Sequence, residues 1–208
     1  IEGIRDREIE GRMGIRGSEV SSKEGIRNRK GEVVKIERSK VAGEIYIDEG
    51  ESEITDSEVR GEEYGIRVGN RGGIKVGRSK VEGEIGIEVG ERSGLELGEG
   101  LEIKSKEIGI KVGGDRVIEI EGIKIESEGK VVESGSGEVE IKSSEVIGDI
   151  EVQGKGEVKV EGSKVEGKVE ARGVSEVAIG DSELVGGWIR VEEGSEIEVE
   201  GSEIEGIR

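Results

Sequence analysis

The chain has 208 residues, of which 50 are acidic and 32 basic, and it contains no Cys, His, Pro or Phe. Its net charge of -18 opposes binding to nucleic acid phosphates and to anionic lipid, and no apolar run approaches the roughly 18 residues that span a bilayer. We therefore expect a soluble protein with neither a nucleic acid nor a membrane as partner. The lack of Cys fits a reducing and an oxidising compartment equally well.

The first 17 residues differ from the rest of the chain in their Arg content. Arg5, Arg7, Arg12 and Arg16 fall here, and the pattern that organises the later residues is weak. Charged side chains at the end of a sheet discourage pairing with another chain. The segment 1–17 is therefore predicted to be an N-terminal capping segment.

From Ser18 onward the chain repeats a Ser-(Glu or Lys)-aliphatic phrase, at a spacing of about 20 residues. The gap between Ser79 and Ser144 fits three such periods, with degenerate copies around 101–103 (LEI) and 123–125 (IKI). Self-similarity at a fixed period predicts a repeat architecture. The clear copies begin at Ser18, Ser39, Ser57, Ser79, Ser144, Ser163, Ser182 and Ser202.

Each period contains three short apolar segments that are separated by Gly. In the period 175–194 these segments are SEVAI, SELV and WIRV, and the breaks fall at Gly180, Gly186-Gly187 and Gly194. Alternation of apolar and polar residues at period two indicates strands, and the β-branched Ile and Val that dominate the apolar set favour them. We therefore predict three short strands per period, with corners between them.

Two all-β folds accommodate this period, a meander of hairpins and a β-solenoid. Hairpins favour Asn-Gly or Asp-Gly turns, and neither dipeptide occurs in the chain. The sequence therefore favours a solenoid, in which residues one period apart stack about 4.8 Å apart. The predicted fold is a single-domain parallel β-helix over residues 1–208, right-handed because its sides are unequal, with about ten coils and a length of roughly 48 Å.

Charge placement supports this stacking independently. Opposite charges on neighbouring strands stabilise pairing, and the outward residue after the repeated Ser runs Glu19, Lys40, Glu58, Lys80, and later Glu145, Lys164, Glu183, Glu203. The alternation has one lapse, at its last step. The residues predicted to face inward in two of the coils are Ile74, Val76, Val81, Ile85, Ile87, Val89, Val158, Val160, Val165 and Val169.

The residue types exclude most catalytic chemistry. Without His and Cys the chain has no Ser or Cys triad, no imidazole ligand and no thiolate zinc site. Gly113-Gly114-Asp115 is interpreted as a turn rather than a calcium loop, and Ser127-Glu128-Gly129-Lys130 lacks the two companion motifs of β-lactam-binding enzymes. Trp188 is in phase with Lys168 and is predicted to be an isolated outward ring. We therefore predict no catalytic, cofactor-binding or metal-binding residues.

The phrases GEVEIKSSEVIGDIEV (137–152) and GEVKVEGSKVEGKVEA (156–171) resemble the coils of bactofilins, which are right-handed β-helices that polymerise end to end. The Ile/Val core, the Glu/Lys/Arg surface and the Gly corners are also similar to those of de novo designed solenoids. The second resemblance implies a structural scaffold with no evolved activity. The first implies a filament-forming protein, or a binding module that uses its coil edges, and end-to-end self-association is expected wherever a terminal strand edge is uncovered.

Overall fold

The computed structural model describes residues 12–22, 25–28, 33–154, 156–173, 176–191 and 196–204, with backbone alone at 115, 116, 136 and 137. Strands make up 77% of the structure, and the described residues form no helix. Every strand pairing is parallel, and the chain winds as a β-solenoid of about eight turns. The predicted all-β parallel solenoid is therefore confirmed.

The strands, in chain order, are β1 (Arg12–Arg16), β2 (Glu19–Ser21), β3 (Ile26–Asn28), β4 (Val33–Glu37), β5 (Lys40–Ala42), β6 (Ile45–Thr55), β7 (Glu58–Arg60), β8 (Tyr64–Gly77), β9 (Lys80–Val89), β10 (Gly94–Leu97), β11 (Glu102–Glu121), β12 (Lys124–Lys142), β13 (Glu145–Gln153), β14 (Gly156–Glu161), β15 (Lys164–Glu166), β16 (Val169–Arg172), β17 (Glu176–Gly180), β18 (Glu183–Val185), β19 (Ile189–Val191), β20 (Glu196–Glu200) and β21 (Glu203–Ile204).

The strands stack into three ladders, which we call the first, second and third sides. The first side begins with β1 and β4 and ends with β17 and β20. The second begins with β2 and β5 and ends with β18 and β21. The third runs from β3 and β6 to β16 and β19. Stacked positions on the second side lie 18 to 22 residues apart in sequence, because the corners absorb differences in length.

Strands at the two ends of the solenoid are short, as the sequence predicts, but central strands continue around corners. β11 is 20 residues long and β12 is 19, and each contributes to all three sides. The first side is interrupted between β10 and β11, since within the fully described backbone of 94–121 no pairing joins these two strands. β10 has only four residues, and its Leu95 and Leu97 are incompletely buried.

The core is a single column of Ile, Val and a few Leu that runs along the axis from Ile15 to Ile189. All ten residues predicted to face inward are at most 8% exposed, so this prediction is confirmed. Burying each such side chain stabilises the fold by roughly 1.5–3 kcal/mol, but only a neighbouring coil can cover it. The stability of each turn therefore depends on the turns above and below it.

The repeated Ser forms a hydrogen-bonded ladder at the corner that leads into the second side. Each Ser Oγ donates to the carbonyl two residues earlier. From Ser39 onward it also accepts the backbone N–H of the residue at the same position one coil before it, which is a Ser except in the case of Ile123 before Ser144. For example, Ser57 Oγ donates to Thr55 O at 2.7 Å, and Ser39 N donates to Ser57 Oγ at 3.1 Å. Leu101 and Ile123 interrupt the ladder with buried apolar side chains. The hydroxyls thus satisfy backbone groups that the corner removes from water.

The residue before this Ser, or before Leu101 and Ile123 where they replace the Ser, has a left-handed backbone throughout the second-side corner. Gly fills the position in some coils, such as Gly122 (φ 64°) and Gly162 (φ 56°), because it adopts this conformation without strain. Arg38, Asp56, Arg78, Ser143 and Asp181 fill it in other coils, with φ between 44° and 51°. The corner geometry is therefore fixed by stacking and is imposed on residues that do not favour it.

One sequence-based expectation concerns the N-terminal end of the chain. In the segment 1–17, which is predicted to be a cap, Arg12–Arg16 forms β1, pairs in register with β4 and places Ile15 in the core. The remainder of that segment, 1–11, lies outside the described residues. So does 205–208, which follows β21.

Candidate functional surface

The outward residues of the second side form a column in which charges of opposite sign alternate. Glu102 and Lys124 complete the series between Lys80 and Glu145, so that Glu and Lys alternate from Glu19 up to Glu183. Representative ion pairs join Lys40 Nζ to Glu58 Oε2 at 3.6 Å and Lys124 Nζ to Glu145 Oε1 at 2.9 Å. The predicted lapse is present, since Glu183 stacks against Glu203. Exposed pairs of this kind are each worth at most about 1 kcal/mol.

The third side carries the two tyrosines of the chain around one arginine. Tyr46 and Arg67 occupy the same position in successive coils, and Tyr64 lies three residues before Arg67. The guanidinium carbon of Arg67 is 4.8 Å from the ring centre of Tyr64 and 5.9 Å from that of Tyr46, which is within cation–π range. Burial and the neighbouring Glu88 carboxylate raise the pKa of Tyr64.

Ion pairs extend from this cluster along the axis. Arg67 Nε lies 2.9 Å from Glu88 Oε2, and Lys111 Nζ lies 3.4 Å from the other oxygen of the same carboxylate. Further along, Lys130 Nζ is 2.5 Å from Glu133 and 2.7 Å from Glu151. Each of these carboxylates therefore has a cation beside it, and the surface alternates in charge rather than presenting a field of one sign.

A shallow cleft of about 640 Å³ lies where the third side turns towards the first. Gly follows the last inward residue of the third side in four successive coils, so the backbone is uncovered there. Asp48 and Gln153 line the two ends of the cleft, while Tyr46, Arg67 and Glu88 line one wall. The four glycines are Gly69, Gly90, Gly113 and Gly135.

Among the carboxylates of the described residues, Glu44 is the one whose pKa the fold raises. Burial raises its pKa above the usual 4.5, although Arg67 and Arg27 act in the opposite direction, and Glu63 and Glu88 add to the rise. Its Oε1 is buried and has no hydrogen-bond partner among the described residues. Glu44 is not part of the cleft lining. The raised pKa is therefore a cost to the fold rather than a sign of a general acid in the cleft.

Trp188 lies outward in phase with Lys168, as the sequence predicts. Lys168 Nζ is 5.6 Å from the centre of the indole ring. The backbone N–H of Lys168 donates to Asp149 Oδ1 at 3.0 Å. The ring is half-buried. Trp188 thus stacks with one cation and makes no ring contact with the tyrosines.

The residues of two short sequence motifs, 127–130 (SEGK) and 113–115 (GGD), have structural roles in the solenoid. Ser127 Oγ accepts the Gly129 N–H at 3.3 Å, while Lys130 is engaged by two carboxylates, which leaves Lys130 poorly placed to activate a nucleophile. The Gly113-Gly114 pair forms a corner where the strand register shifts. Within the described ranges no group of three or more acidic residues could hold a metal ion, and no helix is long and apolar enough to cross a membrane.

Sequence reasoning did not identify the Tyr46–Tyr64–Arg67 cluster. The available signal was the 21-residue separation of Tyr46 and Arg67, which places them in one column once the period is known. Comparison of the chain with protein-family models, with curated proteins and with solved structures finds no match in any of the three.

Proposed function

We propose that the protein is a structural scaffold, a right-handed β-solenoid rod of about ten coils with three strands to a coil and no evolved catalytic activity. The observation that carries this proposal is the second-side ladder, which continues from β2 to β21 and passes through ten strands. Unequal sides favour the right-handed form. Three charged residues that line the cleft, Arg67, Glu88 and Lys111, are already paired with one another, which supports a mechanical rather than a chemical role.

A designed origin accords with the same features. An Ile/Val core, a Glu/Lys/Arg surface and Gly at corners follow the rules by which idealised repeat proteins are built. The alternation of Glu and Lys along the second side is a further regularity of this kind, since it favours one stacking register over its neighbours.

Small-angle X-ray scattering combined with circular dichroism tests the scaffold proposal. We expect a rod-shaped particle with a β spectrum and a length of roughly 48 Å for each molecule. A spectrum with substantial helix, or a near-spherical particle of monomer mass, would contradict it.

A second candidate function is end-to-end assembly of these rods. It is favoured by β1 and β20, each of which pairs on one edge alone among the described strands. Light scattering coupled to size-exclusion chromatography separates the two candidates. A constant monomer mass at every protein concentration supports the isolated scaffold and excludes assembly.

A further inference from the structure

The first and last described coils are equivalent parts of the solenoid. The continuous second-side ladder places Glu19 and Glu203 in one column. Both segments reach that column through a Gly-Ser corner in which Gly17 and Gly201 are left-handed (φ 58° and 62°). Residues 12–20 (RMGIRGSEV) and 196–204 (EIEVEGSEI) therefore correspond one to one.

Apolar positions match between the strands β1 and β20 of these two segments, and all of them except the buried Ile15 are less well covered than the core. Met13 corresponds to Ile197 and Ile15 to Val199. Val199 is 39% exposed, whereas Ile179, its neighbour one coil earlier, is 3% exposed. The loss of cover at β20 arises because no described strand pairs with its outer edge. Another coil with the same alternation would bury Val199.

Charge distinguishes the two ends. The outward residues of β20 are Glu196, Glu198 and Glu200, and the corresponding residues of β1 are Arg12, Gly14 and Arg16. Stacking the two strands in register brings Glu196 to Arg12 and Glu200 to Arg16. The chain already contains this arrangement, since Arg16 Nε lies 3.1 Å from Glu37 Oε2 in the next coil. A two-fold arrangement, which would pair β20 with β20 or β1 with β1, would instead place Glu against Glu or Arg against Arg.

The serine ladder is also open at both ends in a complementary way. Ser18 Oγ donates to Arg16 O at 3.0 Å, while no described coil precedes it to supply an N–H. The backbone N–H of Ser202 has no acceptor among the described residues, whereas the N–H of Ser182 donates to Ser202 Oγ at 3.0 Å. A second copy in register would supply Ser18 Oγ to Ser202 N–H and continue the ladder.

We infer that the last coil of one molecule docks on the first coil of a second copy, head to tail, through parallel in-register pairing of β20 with β1. This inference rests on the second candidate function and gives it a polarity and a register. Two features oppose docking, the net charge of -18 on each molecule and the stacking of Glu203 on Glu19. Salt screens the long-range repulsion between the two negatively charged molecules more than it screens the close Arg–Glu pairs. Association is therefore strongest at moderate rather than low salt.

Charge reversal at the proposed junction tests the inference. Arg16→Glu and Glu200→Arg each place like charges across the interface, and we expect each to weaken self-association at least about tenfold in light scattering at moderate salt. An equimolar mixture of the two variants restores opposite charges at every junction and recovers assembly. Lys104→Glu and Glu126→Arg are matched controls, because these residues form the same kind of pair, at 2.8 Å, in the middle of the rod. The controls assemble like the unmodified chain.

Three outcomes would overturn head-to-tail docking: an unmodified chain that stays monomeric, single variants that assemble as well as it does, or a mixture that stays monomeric. Circular dichroism and thermal unfolding of each variant show whether the solenoid is intact. A rod-shaped monomer that fails to assemble removes the docking inference and leaves the scaffold proposal standing. Loss of the β spectrum in the unmodified chain removes both.

Discussion

The backbone N–H of Ser144 donates a hydrogen bond of 3.1 Å to Oγ of Ser163, one turn further along the solenoid. Ser163 Oγ in turn donates to Glu161 O at 2.8 Å, and both serines are buried. Removing the hydroxyl deprives the buried backbone N–H of Ser144 of this acceptor, while Glu161 O still accepts the backbone N–H of Ser143 at 3.0 Å. Leaving a buried N–H unsatisfied is more costly than losing an exposed hydrogen bond. The repeated Ser is therefore a structural element of the corner.

Ser163→Ala is expected to lower the free energy of unfolding by about 1–2 kcal/mol. Denaturant unfolding followed by circular dichroism measures the change. Ser21→Ala is the control, since Ser21 is exposed and stacks beside Ala42, and it is expected to change stability by less than about 0.5 kcal/mol. Equal effects of the two substitutions would contradict a special role for the ladder.

Ser52 is a serine in a core column, where its neighbours in the stack are Val34 and Ile74. Its side chain is 4% exposed, and its Oγ is buried without a hydrogen-bond partner among the described residues. Ser52→Val removes an unsatisfied hydroxyl and adds apolar contact, so we expect stabilisation of about 1–2 kcal/mol. The matched substitution Ser57→Val has the opposite sign, because Ser57 Oγ both accepts and donates a hydrogen bond in the ladder. Stabilisation by both, or by neither, in thermal unfolding would refute this assignment.

Ser143 and Gly162 occupy the left-handed corner position in successive coils, with φ of 49° and 56°. A left-handed conformation costs an ordinary residue roughly 1–2 kcal/mol, and Gly avoids this at a smaller cost in chain entropy. Ser143→Gly is therefore expected to stabilise the protein by about 0.5 kcal/mol, and Gly162→Ala to destabilise it by about 1 kcal/mol. A loss of stability in Ser143→Gly, measured by chemical denaturation, would show that the corner is not strained.

The sequence predicts the fold well where one residue type recurs at one place in the coil. The Ser column, the alternation from Glu19 to Glu183 and the inward Ile and Val positions all follow from the period. The period says less about the corners. Whether a strand stops, as β14 does, or continues around the bend, as β11 does, depends on stacking against both neighbours. The contact between Arg67 and Tyr64 is likewise invisible to a periodic pattern, because it joins two residues of one coil.

Glu151 and Glu44 are two carboxylates whose contributions to stability have opposite pH dependence. The hydrogen bond from Lys130 lowers the pKa of Glu151 below its usual 4.5, whereas burial raises the pKa of Glu44 above that value. The folded state therefore favours charged Glu151, and this stabilisation is present above pH 4.5 and lost as the pH falls through the lowered pKa. Charged Glu44 is a burden that develops as the pH rises through its raised pKa, and it is relieved below pH 4.5.

We therefore expect Glu151→Gln to destabilise the protein at about pH 7, and Glu44→Gln to stabilise it. Both effects are smaller at about pH 3, because the carboxyls of the unfolded chain are then protonated and the advantage of charged Glu151 shrinks as the pH approaches its lowered pKa. Urea unfolding of the three proteins at both pH values measures the differences. The comparison between variants at one pH cancels the relief of overall charge repulsion, which changes all three proteins alike as the net charge of -18 is titrated. A Glu44→Gln variant that loses stability at neutral pH would mean that its attraction to Arg67 and Arg27 outweighs its burial.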